Sequence, residues 1–209
     1  MGFDLYGEKP KNNSPMPKWV SEYQDKEGWA KWDKLEEDDK KKEYFEATGD
    51  HEKMNPGTYF RNNVWWWRPL WNYVIEICAK DMTKKDLSAG DYNDGYVIKE
   101  STAMKMAVSL FTAENDGTLK SYVKAYNKQF DEARAINKKL DRLKEELKQE
   151  VIKATGDKDV YPNKYKGKYK KRFKKLSEQE NWGGHYPFHI DNAIAFRLFV
   201  EESGGFRIC

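Results

Sequence analysis

Residues 58–82 read TYFRNNVWWWRPLWNYVIEICAKDM, and this stretch decides how the middle of the chain folds. Proline is favoured at the first position of a helix, where its missing N–H is not needed. The apolar residues that follow Pro69 recur at helical spacing: Leu70, Trp71, Val74, Ile75, Ile77 and Cys78. The stretch therefore predicts an extended segment over residues 59–67 and a buried helix over residues 69–82.

Three consecutive tryptophans precede the proline, and in an extended chain they cannot all face one core, because alternate side chains point to opposite faces. Arg61 and Arg68 add planar donors that suit phosphate or carboxylate. The amides of Asn62 and Asn63 carry both a donor and an acceptor, which suits the edge of a base or a ribose. Indole rings hold bases by stacking. These residue types predict a site for a nucleotide-type ligand; the alternative is that the tryptophans are simply core.

The sequence GDYNDG at residues 90–95 predicts a tight turn, because Gly, Asn and Asp tolerate the backbone conformations that turns require. Its polar side chains could bind a ribose or a cation, although a plain turn is the simpler interpretation. With this turn, the candidate ligand-binding residues are Arg61, Asn62, Asn63, Trp65, Trp66, Trp67, Arg68, Trp71, Tyr92, Asn93 and Asp94.

Most of the remaining chain has a helical pattern. The composition of residues 1–18 predicts an irregular segment, of which residues 4–7 could dock on the body. The pattern of residues 19–48 predicts one or two short helices that are interrupted at Gly28. Apolar spacing predicts helices over residues 100–112 and 119–154. The second of these is a coiled-coil-like arm with a seven-residue repeat of Leu119, Tyr126, Ala133, Leu140 and Leu147.

A last helix follows His189, with Asp191 or Asn192 as its cap and Gly204 and Gly205 as its end. The predicted fold class is therefore mainly α, with a compact aromatic-rich helical body, a long helical hairpin arm and little β structure. The predicted domains are a body formed by residues 1–117 and 181–209, and an inserted arm formed by residues 118–180.

Residues 161–176, YPNKYKGKYKKRFKKL, contain no acidic side chain, and their rings recur every four residues. Lysine and arginine neutralise phosphates, and interleaved rings can stack on bases, so one interpretation is a nucleic-acid surface. The other is the return limb of the hairpin, with its rings packed on the long helix. The basic residues concerned are Lys164, Lys166, Lys168, Lys170, Lys171, Arg172, Lys174 and Lys175.

Composition excludes several functional classes. Lys and Arg total 38 against 35 Asp and Glu, so the whole chain is not a polycation. The two cysteines, Cys78 and Cys209, match no metal spacing and support no disulfide framework. No stretch reaches the roughly 18 apolar residues of a membrane span, and no signal pattern opens the chain. These features predict a cytoplasmic protein without a membrane partner.

The sequence names no catalytic residue, metal site or cofactor. His51, His185 and His189 are the side chains suited to acid–base work near neutral pH. His185 and His189 have the spacing of metal ligands, but Pro187 between them breaks the helix that would align them. A nucleotide hydrolase that uses His185 or Asp94 remains an alternative to binding without turnover.

The ordered motifs DLYG at residues 4–7, YFRNNVWWWRPLW at 59–71, YNDG at 92–95 and SGGFRIC at 203–209 resemble a family of small bacteriophage and prophage proteins. The family has no settled activity, but its context implies an accessory protein, and such proteins often counter host defence by sequestering a nucleotide signal. The resemblance thus implies a non-enzymatic sponge for an immune messenger in the host cytoplasm. We expect a homo-oligomer built through the helical arms. The alternative is an interaction module that binds protein or nucleic acid through the basic arm.

Overall fold

The computed structural model describes residues 2–24, 30–31 and 38–209, and it is mainly α-helical, as the sequence predicts. The predicted helix break at Gly28 lies outside the described residues. The helices are α1 (Lys18–Glu22), α2 (Asp38–Met54), α3 (Val64–Cys78), α4 (Lys84–Ala89), α5 (Glu100–Asn115), α6 (Thr118–Thr155), α7 (Gly167–Ser177) and α8 (Ile190–Glu202). The strands are β1 (Gly2–Gly7), β2 (Tyr59–Asn63), β3 (Tyr96–Ile98) and β4 (Phe206–Ile208).

The four strands form one antiparallel sheet in the order β2-β1-β4-β3. Strand β1 lies inside the sheet, which corrects the prediction of irregular chain for residues 2–7, whereas residues 8–17 are irregular as predicted. Phe3 and Leu5 are buried on one face, whereas Asp4 and Tyr6 point to the other and are more exposed. This alternation is typical of a half-buried strand, but it is only a few residues long. The Gly- and Pro-rich composition around it concealed the signal.

Helix α3 begins at Val64, five residues before the predicted start at Pro69. The side chain of Asn63 accepts a hydrogen bond from the backbone N–H of Trp66 at 3.0 Å, so an asparagine caps the helix rather than the proline. The predicted extended segment is right for residues 59–63 and wrong for the four residues after them. Pro69 lies inside the helix, where it removes one intrahelical hydrogen bond.

Aromatic rings build the core between the sheet and the helices of this part of the chain. Phe3 stacks on Trp67 with ring centroids 5.0 Å apart, and Trp67 stacks on Trp71 at 5.2 Å. Phe196 of α8 meets both tryptophans edge-on. Such ring pairs contribute about 0.5–1.5 kcal/mol beyond the area they bury. The rings therefore join β1, α3 and α8 into one body.

Helices α5 and α8 follow their predicted courses, with one correction at a cap. Helix α5 covers the predicted residues 100–112 and continues to Asn115. Helix α8 begins at Ile190, before both predicted caps, and no side chain caps its first turn. Gly204 and Gly205 follow its end with positive φ angles of 60° and 91°, as expected for residues that terminate a helix.

The long helix over residues 119–154 is confirmed as α6. Four of the five positions in its seven-residue repeat are buried, namely Leu119, Ala133, Leu140 and Leu147. Contacts divide the chain into two compact units, Met1–Lys120 with His189–Cys209 and Ser121–Phe188. The sheet belongs to the first unit, and α7 belongs to the second.

Candidate ligand-binding surface

Trp67 and Trp71 lie in the core and hold α4 and the GDYNDG turn after it against α3. Their side chains are 0% and 2% exposed. The indole N–H of Trp67 donates to the carbonyl of Gly90 at 2.7 Å, and that of Trp71 donates to the carbonyl of Leu87 at 3.0 Å. A ligand in solvent does not reach these two rings, so their contribution to a site is to position its other residues.

Gly90 allows this close approach between the turn and the helix. A Cβ at this position would lie 2.2 Å from the indole nitrogen of Trp71, far inside van der Waals contact. Any other residue would push the turn away from α3. The glycine is therefore required by packing, and its backbone φ of −73° is an ordinary one.

Trp65 and Trp66 are the exposed members of the triplet, at 45% and 43%. Because they lie on a helix rather than a strand, their directions differ by about 100°. The ring of Trp66 lies 5.0 Å from that of His189. Trp65 is three residues from Arg68 and so lies beside it on the helix surface. The structure thus separates two tryptophans that the sequence grouped in one pocket.

Both candidate arginines face carboxylates. Nη1 of Arg68 donates to Asp91 at 2.9 Å, and Nε of Arg61 lies 3.4 Å from a carboxylate oxygen of Asp4. The Tyr59 hydroxyl also donates to Asp4, and burial together with this bond raises the pKa of Tyr59, so the hydroxyl stays a donor. The two arginine side chains are 40% and 54% exposed, which leaves them accessible to an anion.

The three candidate asparagines have different surroundings. Asn62 is buried and donates to Asn192 at 3.1 Å, which ties β2 to α8. Asn63 uses its oxygen to cap α3. Asn93 is exposed, and its amide lies 3.3 Å from the carbonyl of Gly2.

Gly2 is the point at which the two candidate segments meet. It pairs with Asn63 in the sheet, accepts from Asn93 of the turn, and lies next to the Nε atom of Arg61. The Arg68–Asp91 ion pair is the second link between α3 and the turn. We call this region the Trp65 surface, defined by Arg61, Asn63, Trp65, Arg68, Tyr92, Asn93 and Asp94.

Sequence reasoning missed several residues of this region. Asp91 and Asp4 carry the carboxylates that hold the arginines, and His189 lies against Trp66. Only the DLYG motif signalled a role for the N-terminal strand, and it gave no position for it. The placement of Asp4 follows from strand pairing across more than fifty residues, which no local pattern reveals.

The second candidate surface lies on α7, where the rings face inward. Tyr165 is buried, and Tyr169, Phe173 and Leu176 pack against Leu147 and Val151 of α6. The eight basic side chains from Lys164 to Lys175 are all exposed. The rings thus pack as predicted for the return limb of a hairpin. The basic side chains remain in solvent.

Four lysines of this surface have neither an ion-pair partner nor a ring contact within the described part of the chain: Lys166, Lys170, Lys171 and Lys175. Lys164 and Lys168 lie over the rings of Tyr161 and Tyr169, with Nζ 5.9 Å and 5.1 Å from the ring centroids. Among the others, Arg172 forms two hydrogen bonds with Glu150, and Lys174 lies 3.6 Å from Glu178. We call Lys164, Lys166, Lys168, Lys170, Lys171, Arg172, Lys174 and Lys175 the lysine face.

The histidines fall in unrelated places. Nε2 of His185 lies 3.0 Å from a carboxylate oxygen of Glu180, whose other oxygen accepts from Lys144 at 3.0 Å. His51 is bonded to the carbonyl of Ser14 through its Nε2 atom. Across residues 2–24, 30–31 and 38–209, no group of three His, Cys, Asp or Glu side chains could hold a metal ion.

Comparisons with protein-family models, with curated proteins and with solved structures give no match for this chain. None of the described helices combines the length and the apolar character that a membrane span requires.

Proposed function

We propose that the chain binds a nucleotide-type ligand on the Trp65 surface and does not convert it. One observation carries the proposal. An accessible indole, Trp65, lies beside the guanidinium of Arg68, and the polar turn around Asn93 is held next to them through the Arg68–Asp91 pair. A stacking ring, a phosphate-binding cation and amide groups are the three elements of nucleotide recognition.

Each residue has a defined part in this proposal. The base stacks on Trp65, and the phosphate is bound by Arg68 and Arg61. Exposed ion pairs contribute only about 0–1 kcal/mol, so exchanging Asp91 or Asp4 for a phosphate costs little. Asn93 and the amide nitrogen of Asn63 contact polar edges of the ligand, with Tyr92 and Asp94 beside them. Asn62, Trp66, Trp67 and Trp71 support or flank the surface.

The motif resemblance narrows the ligand class. A small phage accessory protein that binds a nucleotide and does not hydrolyse it would act as a sponge for a nucleotide-derived immune signal of the host. Sequestration requires a tight and accessible site and no catalytic group. The proposal therefore extends to a protein that lowers the free concentration of such a messenger.

The test is a titration of the purified protein with cyclic dinucleotides, cyclic oligonucleotides, ADP-ribose and mononucleotides, followed by calorimetry. Trp65→Ala should weaken binding about 10- to 100-fold, because stacking on an aromatic ring contributes about 1–3 kcal/mol per base. Trp66→Ala is the matched control: it lies in the same turn, is equally exposed and points elsewhere, so affinity should stay within about twofold of wild type.

The outcomes separate the alternatives. Loss of binding in Trp65→Ala with recovery of intact ligand supports sequestration. Appearance of a hydrolysed product that depends on His185 or Asp94 would establish the hydrolase instead. The proposed site is contradicted if no compound in the panel binds. It is also contradicted if Trp66→Ala abolishes binding of a ligand and Trp65→Ala does not.

A second function is favoured by the lysine face, namely electrostatic binding of nucleic acid. Four exposed lysines that have neither an ion pair nor a ring contact among the described residues are available to neutralise phosphates. Because the rings of α7 pack on α6, base stacking is limited to positions such as Tyr161, which is 64% exposed. We therefore expect backbone contacts without sequence preference.

Fluorescence anisotropy with single- and double-stranded oligonucleotides at several salt concentrations tests this function. Changing Lys166, Lys170, Lys171 and Lys175 to Gln should reduce the slope of log affinity against log salt by about 3, since each phosphate contact contributes about 0.7–0.9. The same number of changes on another surface, at Lys80, Lys84, Lys85 and Lys99, provides the control. Equal slopes for the two variants would contradict a role for the lysine face.

A further inference from the structure

The Trp65 surface, together with the two aspartates that pair with its arginines, holds more carboxylates than cations. Arg61 lies 3.4 Å from Asp4, and Arg68 lies 2.9 Å from Asp91. A third carboxylate, that of Asp94, is exposed and has no ion-pair partner among the described residues. Two guanidinium groups and three carboxylates give these five side chains a net charge of −1 at neutral pH before any ligand binds.

The turn at residues 90–95 keeps its carboxylates beside the arginine. The carbonyl at its start accepts a hydrogen bond from Trp67 at 2.7 Å, and the backbone N–H of Gly95 at its end donates to the carbonyl of Ile208 at 2.8 Å. The side chain of Asp91 is 57% exposed, so it can rotate into solvent when another anion takes its place. Because both ends of the turn are held, its charge stays close to the guanidinium that it has left.

Phosphate binding on this surface is therefore an exchange of anions. A phosphate that displaces Asp91 from Arg68 brings its own negative charge, and the displaced charge remains nearby. Each further negative charge on the ligand meets Asp91 and Asp94 without gaining another cation from the surface. Like charges that are brought together in a complex lower the affinity for the ligand that carries them. The charge on each phosphate thus decides which nucleotides the surface accepts.

We infer that the phosphate of the ligand is a diester, as in a cyclic nucleotide or an internucleotide linkage, and that terminal phosphates and polyphosphates bind less well. This inference rests on the proposed function and specifies the class of its ligand. A diester carries a single negative charge, which matches a one-for-one exchange with a carboxylate. A terminal phosphate carries about −1.5 to −2 at pH 7, because its second pKa is about 6, and a diphosphate or triphosphate carries more.

The test compares two ligands whose phosphates differ in charge: a nucleoside 5′-monophosphate and the methyl ester of that phosphate, for each of the four bases. Both present the same base and ribose to Trp65. Calorimetric titration with a chelator in the buffer prevents a divalent cation from compensating the charge. The methyl ester should bind about 3- to 10-fold more tightly than the monophosphate, and the nucleoside diphosphate should bind more weakly than either.

Asp94→Asn tests whether charge is the cause of this preference. Removal of the unpaired carboxylate should reduce the preference for the methyl ester at least about twofold, mainly by tightening the binding of the monophosphate. Glu76→Gln is the matched control and should leave the preference unchanged. Glu76 is an exposed carboxylate on α3, and eleven residues of helix place it about 16 Å from Trp65, beyond the Debye length of about 8 Å at physiological salt.

The outcomes separate this inference from the proposed function. If no ligand of the series binds, or if binding survives Trp65→Ala, the proposed function fails and the inference fails with it. If the ligands bind through Trp65 but the monophosphate or the diphosphate binds as tightly as the methyl ester, the function stands and the inference is overturned. A preference that is unchanged in Asp94→Asn also overturns it, because contacts of the methyl group and not the charge would then be the cause.

Discussion

Helices α3 and α7 carry the same residue types, aromatic rings and basic side chains, and they use them in opposite ways. On the first turns of α3 the ring of Trp65 is exposed and the guanidinium of Arg68 is ion-paired. On α7 the rings of Tyr169 and Phe173 pack inward, and lysines such as Lys170 have no ion pair within the described residues.

The difference arises from what lies beside each helix. The turn next to α3 supplies Asp91, which neutralises Arg68 in place, and β1 supplies Asp4, which does the same for Arg61 of β2. Helix α6 carries four glutamates, but within the described part of the chain only Glu150 forms an ion pair with the lysine face, through Arg172. The α3 surface therefore suits stacking of a base and the exchange of one carboxylate for one phosphate. The α7 surface suits contacts with many phosphates at the same time.

The largest effect in this comparison is expected from Trp67→Ala. Trp67 is fully buried between Phe3 and Trp71, and it bonds to the Gly90 carbonyl. Removing the ring leaves a cavity and an unsatisfied carbonyl, so the free energy of unfolding should fall by about 4 kcal/mol. Urea denaturation followed by circular dichroism measures it.

Trp66→Ala, one residue away, controls for the loss of a tryptophan. Its ring is 43% exposed, and the expected loss is below about 1 kcal/mol. Equal losses for the two variants would show that Trp66 also supports the body, and the division between core and surface rings on α3 would fail.

Tyr165→Ala makes the same test on the second unit. Its ring is 3% exposed and packs against Leu147, Val151 and Phe173. We expect a loss of about 3 kcal/mol in the stability of this unit. Hydrogen exchange of the α6 and α7 amides reports it, because it separates this unit from the other. Tyr161→Ala, at a site that is 64% exposed, should change exchange little; a comparable change would mean that both rings hold the hairpin.

The sequence predicted those elements whose pattern is long. The seven-residue repeat gave α6 to within one residue at each end, and the spacing around Leu110 gave α5. The sheet was missed because its strands are three to six residues long and all four of them pair with partners far along the chain. Strand pairing is a tertiary property, so a short strand carries little local signal.

The candidate site was predicted in part, because residue types are visible in a sequence and directions are not. Pro69 was assigned to the start of α3, but Asn63 can accept a hydrogen bond and so caps the helix earlier. This shift turned an alternating strand into a helix and separated exposed Trp65 from buried Trp67, which an extended chain would have placed on one face. That Arg68 would meet Asp91 could not be read from a turn motif more than twenty residues away.

A smaller effect is expected from the ion-pair network of the second unit. The hydrogen bond from Lys144 lowers the pKa of Glu180, burial opposes this, and His185 lowers it further. Because the pKa of the folded state lies below the unfolded value of about 4.3, the ionised carboxylate stabilises the fold at pH values above about 4.3. This stabilisation is lost as the pH falls through the pKa of the folded state. Glu180→Gln should therefore cost about 1 kcal/mol at neutral pH and little in acid.

Urea denaturation from neutral to acidic pH checks this, with Glu178→Gln as control. Glu178 is 63% exposed, and its lysine partner is 3.6 Å away, so the variant should match wild type throughout. A Glu180→Gln deficit that persists unchanged in acid would show that packing, and not the charge, holds this network.

The smallest effect concerns the ion pair that distinguishes α3 from α7. A double-mutant cycle on Arg68→Ala and Asp91→Ala should give a coupling of at most about 1 kcal/mol, because both side chains are substantially exposed.

Such a weak pair can release its guanidinium to a phosphate. Asp91→Asn should then tighten nucleotide binding by up to about fivefold, since 1 kcal/mol corresponds to that factor. A coupling well above about 2 kcal/mol would mean that Arg68 is fixed to Asp91. The α3 surface would then lack the cation that the proposed ligand requires, and the lysine face would remain as the stronger candidate.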